Sequence, residues 1–266
     1  MNIDVISQYC VYNDYPIFRY NTQKHRDNFR KVILYPSRHH GVIDLEGFSK
    51  KNFPQVTWVE PVPIDYGVED WRQAETIPCL KQSDADWILF MEQDFFVKDW
   101  DKLYTMLAFN MKFYDAIGWW NETAFPYLHP CFFLIKRELF EKTQKDFSAH
   151  PEIPGCDHFA MLTRDIEKAH GKLRTLQQMG YKNWETAFHL GSLTYTYQEW
   201  KNDGTDRFGQ ANPEAFFVYN HYSRQVPVFH DPEYLRISKE IEIEMIKRGI
   251  KIDPENNKWV PFFKLW

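Results

Sequence analysis

Trp87-Ile88-Leu89-Phe90-Met91-Glu92-Gln93-Asp94 is the stretch on which the fold turns. Five apolar residues in a row, entered from the polar Gln82-Ser83-Asp84-Ala85-Asp86, predict a strand buried on both faces. Runs of that kind belong to parallel sheets covered by helices. The run stops at two carboxylates, Glu92 and Asp94, one residue apart. Ligands of open α/β sheets collect beyond the carboxyl ends of the strands, so both acids are expected at a binding crevice. Two carboxylates so spaced can face one divalent cation, and Mg²⁺ and Mn²⁺ take oxygen ligands. A polar turn after a strand is the ordinary reading of such a pair. The buried strand before it and the order of elements around it favour the ligand reading.

Working outward, 266 residues suit one α/β domain with its own core. Hydrophobic residues at 44% make the chain globular. Aromatics at 18% suggest a cleft that stacks on flat or ring-shaped ligands, although core packing is the ordinary fate of each ring. A formal charge of −5 does not announce a nucleic-acid binder. One local exception runs from Arg19 to Arg38, where Arg19, Lys24, Arg26, Arg30, Lys31 and Arg38 face a single acid, Asp27. Such a stretch either holds phosphates or forms a solvated basic face.

Cys10, Cys79, Cys131 and Cys156 are far apart and form no CxxC pair. They read as reduced thiols, not as a disulfide framework or a zinc site. No signal peptide is read at the amino terminus, and no run approaches the ~18 apolar residues of a membrane span. A soluble cytoplasmic protein, of viral or bacterial origin, is the expectation.

Along the chain, strands are predicted over 3–9, 31–35 (ended by Pro36) and 55–59, with a short helix around Leu45 to Lys51. A helix over 68–80 places Trp71, Ala74 and Ile77 on one face, with Pro78 as a kink. After the 87–91 strand come a helix over 100–111, strands over 115–120 and 130–135, and a helix over 136–143. The helix from Asp157 to His170 carries Phe159, Leu162, Ile166 and Ala169 at spacings of three and four, with Gly171 at its stop. Strands follow over 173–177 and 188–197. A last helix begins at Asp231-Pro232 and runs to Arg248, with Tyr234, Ile237, Ile241 and Met245 as its buried stripe. Strands and helices alternate through the first half, as in a mainly parallel sheet.

This order of elements, closing on acid-x-acid after an apolar strand, resembles the GT-A glycosyltransferases, with Glu92 where their D-x-D motif has its first aspartate. The likeness covers roughly residues 3 to 197 at the level of motif order. It implies an α/β, GT-A-like single domain over 1–230, a mainly parallel central sheet flanked by helices, and a C-terminal helix and tail over 231–266 packed on it. Asp70-Trp71-Arg72-Gln73-Ala74 occupies the place of the family's helix before the motif, which implies donor binding by Arg72 together with Glu92, Gln93 and Asp94. His129-Pro130-Cys131 opens a segment similar to the strand that closes over the acceptor site. Gly155-Cys156-Asp157-His158-Phe159 resembles the helix start that carries the catalytic acid of inverting members, so Asp157 is the implied base. His189 matches the later histidine that joins Asp94 and Glu92 at the metal. Acceptor contacts fall to Trp119, Trp120 and His158. The second strand departs from the family: Tyr35-Pro36-Ser37-Arg38 stands where an aspartate usually reads the nucleotide.

The resemblance implies a Mn²⁺- or Mg²⁺-dependent transfer of sugar from a nucleotide-sugar donor, with a UDP-sugar expected, to an acceptor hydroxyl, with inversion. A glycan or a hydroxymethylated base in DNA is the acceptor. Asp157 is equally an ordinary helix cap, and His189 an ordinary core or surface histidine. Two other readings remain. One is a catalytically silent protein that binds a glycan or partner through its aromatics. The other is a nucleotidyltransferase, against which stands the absence of glycine in Gln8-Tyr9-Cys10-Val11-Tyr12-Asn13 after the first strand.

Overall fold

The strands occur largely where apolar runs predict them. In a computed structural model the described residues are 1–10, 28–37, 56–59, 71–92, 95–122, 126–149, 152, 158–182 and 185–189, with positions 232, 236, 239 and 243. They form β1 (Ile3–Cys10), β2 (Lys31–Ser37), β3 (Val56–Trp58), α1 (Trp71–Leu80), β4 (Trp87–Met91) and β5 (Phe95–Val97). Then come α2 (Trp100–Asn110), β6 (Ala116–Asn121), β7 (Tyr127–Lys136), α3 (Arg137–Phe140), α4 (Ala160–Lys168), β8 (Leu173–Thr175) and β9 (Ala187–His189). The expected helix at Leu45 to Lys51 lies outside the described residues.

Seven strands make one sheet in the order β3-β2-β1-β4-β7-β6-β8, and β5 pairs with β9 in a separate ribbon. β1, β2, β3 and β4 run parallel. β7 is antiparallel to both β4 and β6, and β8 returns parallel to β6. One strand of seven therefore opposes the rest, and the α/β, mainly parallel expectation holds.

Alternation along β4 shows how the sheet is covered. All five of its residues are buried. Trp87, Leu89 and Met91 join one apolar cluster with Leu103, Tyr104 and Leu107 of α2 and with Phe95 of β5. Ile88 and Phe90 join a second with Cys79 of α1, Leu139 and Phe140 of α3, and Leu162 and Ile166 of α4. Side chains at i and i+2 share a face, so a strand with helices on both sides must be apolar throughout. Phe90 is the hub of the second cluster. Its ring lies 5.0 Å from that of Phe159, 5.7 Å from Phe147, 5.9 Å from Phe133 and 6.1 Å from Phe140, so much of the aromatic content is spent on the core.

Five expectations change. α4 begins at Ala160, with Phe159 at its cap position, three residues after the expected start at Asp157. β2 continues through Pro36 to Ser37, with Pro36 opposite Tyr9 of β1, so the proline does not end it. Among the described side chains of α1, Glu75, Thr76 and Cys79 are buried, while Ala74 and Ile77 are only half-buried. The helix is thus rotated from the face that apolar spacing selects, and it runs on past Pro78 to Leu80. α3 spans four residues where eight were expected. Finally, the left-handed residue that stops α4 is His170 (φ 58°), not Gly171. At the carboxyl end, Pro232, Arg236, Lys239 and Ile243 are helical and exposed, spaced as one face of a helix. The expected stripe on its other face lies outside the described residues. Among the described residues, no helix is long and apolar enough to cross a membrane.

Candidate functional site

The sheet order creates a crevice beside β4. From β1 the chain moves outward to β2 and β3, then returns to the other side of β1 as β4. Such a reversal is a topological switch point, where the connections after adjacent strands leave in opposite directions and open a cleft. Pairing between β1 and β4 spans Ile3↔Trp87 to Ile6↔Phe90, whereas β1 stays paired with β2 as far as Cys10. Ser7 pins the point of divergence by donating its hydroxyl to the Met91 carbonyl at 2.6 Å.

Glu92 follows at once. Its backbone N–H donates to the Cys131 carbonyl of β7 at 3.1 Å, and the Phe95 N–H returns to the Glu92 carbonyl at 3.4 Å, closing a turn. β5 then pairs with β9, and the register Phe95↔His189 carries His189 back over the end of β4. His189 Nε2 lies 2.9 Å from Glu92 Oε2, with both side chains about four-fifths buried. A glutamate and a histidine 97 residues apart, each expected at the site, are in direct contact.

β7 supplies two residues that sequence reasoning placed on the strand over the acceptor and not at the metal. His129, Cys131 and His189 each present a ligand atom, and the three atoms lie within 4.8 Å of one another. The rings of His129 and His189 are 4.8 Å apart. A bulge brings this about. The β6–β7 register passes from Gly118↔Phe133 to Trp119↔His129, leaving Pro130, Cys131 and Phe132 unmatched on β7. Within it, the Cys131 N–H donates to His129 Nδ1 at 3.1 Å. Extra residues on one strand re-aim the side chains they carry. Gly118 makes the bulge sterically feasible, because a Cβ there would sit 2.8 Å from the Phe132 carbonyl oxygen. The signal in the sequence was His-x-Cys on a strand, since residues at i and i+2 share a face. Spacing rules built on paired cysteines do not detect it.

The remaining expected residues are scattered in standing. Gln93, Asp94 and Asp157 lie outside the described residues. Arg72 belongs to the first turn of α1, and its side chain is not described. Trp119 is in the core, its ring 5.8 Å from Phe95 at a steep angle. Trp120 is the half-exposed indole of the pair. It borders a cleft of about 490 Å³ with Glu122, Leu173, Thr175, Gln177 and Gln178. The Gln177 amide holds that wall as a backbone would, accepting from the Trp120 N–H at 3.0 Å and donating to its carbonyl at 2.8 Å. β6 runs in the same direction as β4, so Trp120 and Glu92 both stand at the carboxyl ends of their strands, two strands apart in the sheet order. His158 is half-buried in the turn before α4.

In the basic stretch, Arg30 lies at the surface but is engaged by two acids. Its Nε and Nη2 donate to the two carboxylate oxygens of the fully buried Asp4 at 2.9 and 2.6 Å, and it also pairs with Asp84.

No family model matches the sequence, and no curated protein matches it. Among solved structures, similarity is found to the mannosyltransferase PcManGT from Pyrobaculum calidifontis in complex with GDP-Man and Mn²⁺. The identity is 12%, over 93% of this chain and 79% of that one, with a TM-score of 0.49. Residues 1–349 of S. aureus TarS show 13% identity over 94% of this chain and 72% of that one, with a TM-score of 0.44. The glycosyltransferase GlyE of Streptococcus pneumoniae TIGR4 shows 14% identity over 96% and 65%, with a TM-score of 0.41. At such identities and scores, fold and site rest on the chain's own topology and contacts.

Proposed function

We propose that the chain is a nucleotide-sugar glycosyltransferase acting on a glycan hydroxyl with inversion, with a divalent cation held by Glu92, Asp94 and His189. The observation that carries this reading is the contact between Glu92 and His189 at the carboxyl end of β4, on the switch point of the sheet. A carboxylate oxygen and an imidazole nitrogen side by side suit a divalent transition-metal ion, and Asp94, two residues on, is the second carboxylate. When bound, such a cation takes up negative charge on a departing diphosphate.

The protein's own residues have separate tasks. Asp157 accepts the proton of the acceptor hydroxyl, whose oxygen then forms the bond to the anomeric carbon. The carbon–oxygen bond to the diphosphate breaks on the opposite face, and its electron pair leaves with the phosphate. Trp120 offers a flat apolar face to a sugar ring in the cleft that it borders. The engagement of Arg30 with Asp4 and Asp84 removes one cation from any nucleic-acid surface and favours the glycan over a DNA acceptor.

The test is a thermal-shift screen of UDP-, GDP-, dTDP- and CMP-sugars, each with and without Mn²⁺. A ligand specific to the folded state, at 100 times its dissociation constant, adds about 2.7 kcal/mol of stability. A metal-dependent shift with one nucleotide, abolished in Asp94→Ala and in Glu92→Gln, is expected. A protein that shifts with none of the donors would overturn the assignment.

A further inference from the structure

We infer that the cation suited to this crevice is of the zinc class, with His129 and Cys131 of β7 as ligands beside His189. This rests on the metal-binding crevice of the reading above but gives His129 and Cys131 the ligand places assigned there to Glu92 and Asp94, with Glu92 orienting His189, and its test involves no sugar.

The argument begins with donor chemistry. Mg²⁺ takes oxygen ligands almost exclusively, whereas two imidazoles and a thiolate form a set for Zn²⁺ and its borderline neighbours. His129, Cys131 and His189 provide that set, with ligand atoms within 4.8 Å of one another. Tetrahedral zinc with bonds of about 2.0 to 2.3 Å places its ligands roughly 3.6 Å apart, so modest side-chain rotations close the cluster. Two of the three, His129 and Cys131, are held by the β7 bulge and are buried. His189 arrives on a different sheet, so the cation would tie the β5–β9 ribbon to β7.

The surroundings fit a metal site as well. His129 accepts from the Cys131 N–H through Nδ1, so Nδ1 holds the lone pair of the neutral ring and is the nitrogen a metal would take in place of that hydrogen bond. Glu92 Oε2, at 2.9 Å from His189, fixes the second imidazole as carboxylates commonly do around zinc. Binding replaces the Cys131 S–H proton, which leaves to solvent, by the metal. Three protein ligands leave one coordination position for a substrate oxygen or water, the arrangement of catalytic and not of structural zinc.

The full chain, stripped with a chelator, is titrated with Co²⁺ and then with Zn²⁺ or Mg²⁺. One Co²⁺ per chain is expected, with a strong sulfur-to-cobalt charge-transfer absorption that Zn²⁺ abolishes and excess Mg²⁺ does not. Cys131→Ser should lose that absorption and bind Zn²⁺ at least roughly tenfold more weakly in calorimetry. His129→Gln keeps the sulfur and an acceptor for the Cys131 N–H, so it should retain the absorption at weaker affinity. Co²⁺ binding without the charge-transfer band, or unchanged Zn²⁺ affinity in His129→Gln, would overturn the inference. A donor-induced thermal shift can fail while the cobalt spectrum appears, so the two readings fall separately.

Discussion

At the carboxyl end of α4, two neighbouring residues exchange the roles that their identities suggest. The His170 N–H donates to the Glu167 carbonyl at 3.0 Å and the Gly171 N–H to the Ile166 carbonyl at 2.9 Å. Those are the paired bonds of a helix stop whose left-handed residue is usually glycine. Here that residue is His170, and Gly171 serves a packing need. A Cβ on Gly171 would meet Leu139 Cδ2 at 2.5 Å and Ile166 Cγ2 at 2.8 Å. Gly171→Ala should therefore cost about 1–2 kcal/mol in urea unfolding, as overpacking of a tight core does. His170→Gly should be neutral or stabilising by up to about 1 kcal/mol, since it relieves a left-handed side chain. The reverse order of effects would show that Gly171 is the conformational stop. Position alone pointed to the glycine, because spacing locates a helix end but not which of two residues turns it.

At the scale of elements, the β7 bulge connects fold and site. Predicting a strand over 130–135 finds the apolar part of β7 but not its start at Tyr127, since His129 and Pro130 interrupt the apolar pattern. Pro130 is the first unmatched residue, and His129 is the last matched one before the bulge. Gly118 across from it faces backbone, the Phe132 carbonyl, which cannot rotate away. Gly118→Ala should thus cost more than Gly171→Ala, about 2–3 kcal/mol, and should weaken Co²⁺ binding by displacing Cys131. Loss of stability with cobalt binding intact would separate the bulge from the ligand cluster. Helix α1 carries a related lesson. Its buried Glu75, Thr76 and Cys79 are placed by packing on the sheet, and that contact overrides the apolar spacing of Ala74 and Ile77.

At the scale of the whole molecule, an ionic network joins β1, the entry to β2 and the turn before β4 away from the crevice. Asp4 is fully buried, held by Arg30 and by the Ser83 hydroxyl at 2.8 Å, and Arg137 donates to the Ser83 Oγ at 2.7 Å. Removing one partner leaves a buried charge, so Arg30→Met should cost on the order of 3 kcal/mol. Adding Asp4→Asn should recover part of that loss, which a double-mutant cycle reads directly. Arg30 also holds the Asp84 carboxyl below its ordinary range by hydrogen bonding. A carboxylate lowered on folding stabilises above its unfolded pKa and loses that contribution as pH falls through the folded value. Asp84→Asn should therefore flatten the acid limb of the stability curve. Equal acid sensitivity in the two proteins would place the titrating group elsewhere.

What the amino-acid order determined by itself was local. The 87–91 run read as a strand covered on both faces, the acids after it as that strand's end, and apolar spacing located α4. The tertiary structure alone decided which distant pieces meet: the reversal between β1 and β4, the antiparallel insertion of β7, and the return of His189 onto Glu92. Periodicity reports the environment of neighbours along the chain, whereas a ligand cluster is made by strand order, register and one bulge. Those depend on how the sheets pack and not on any window of sequence.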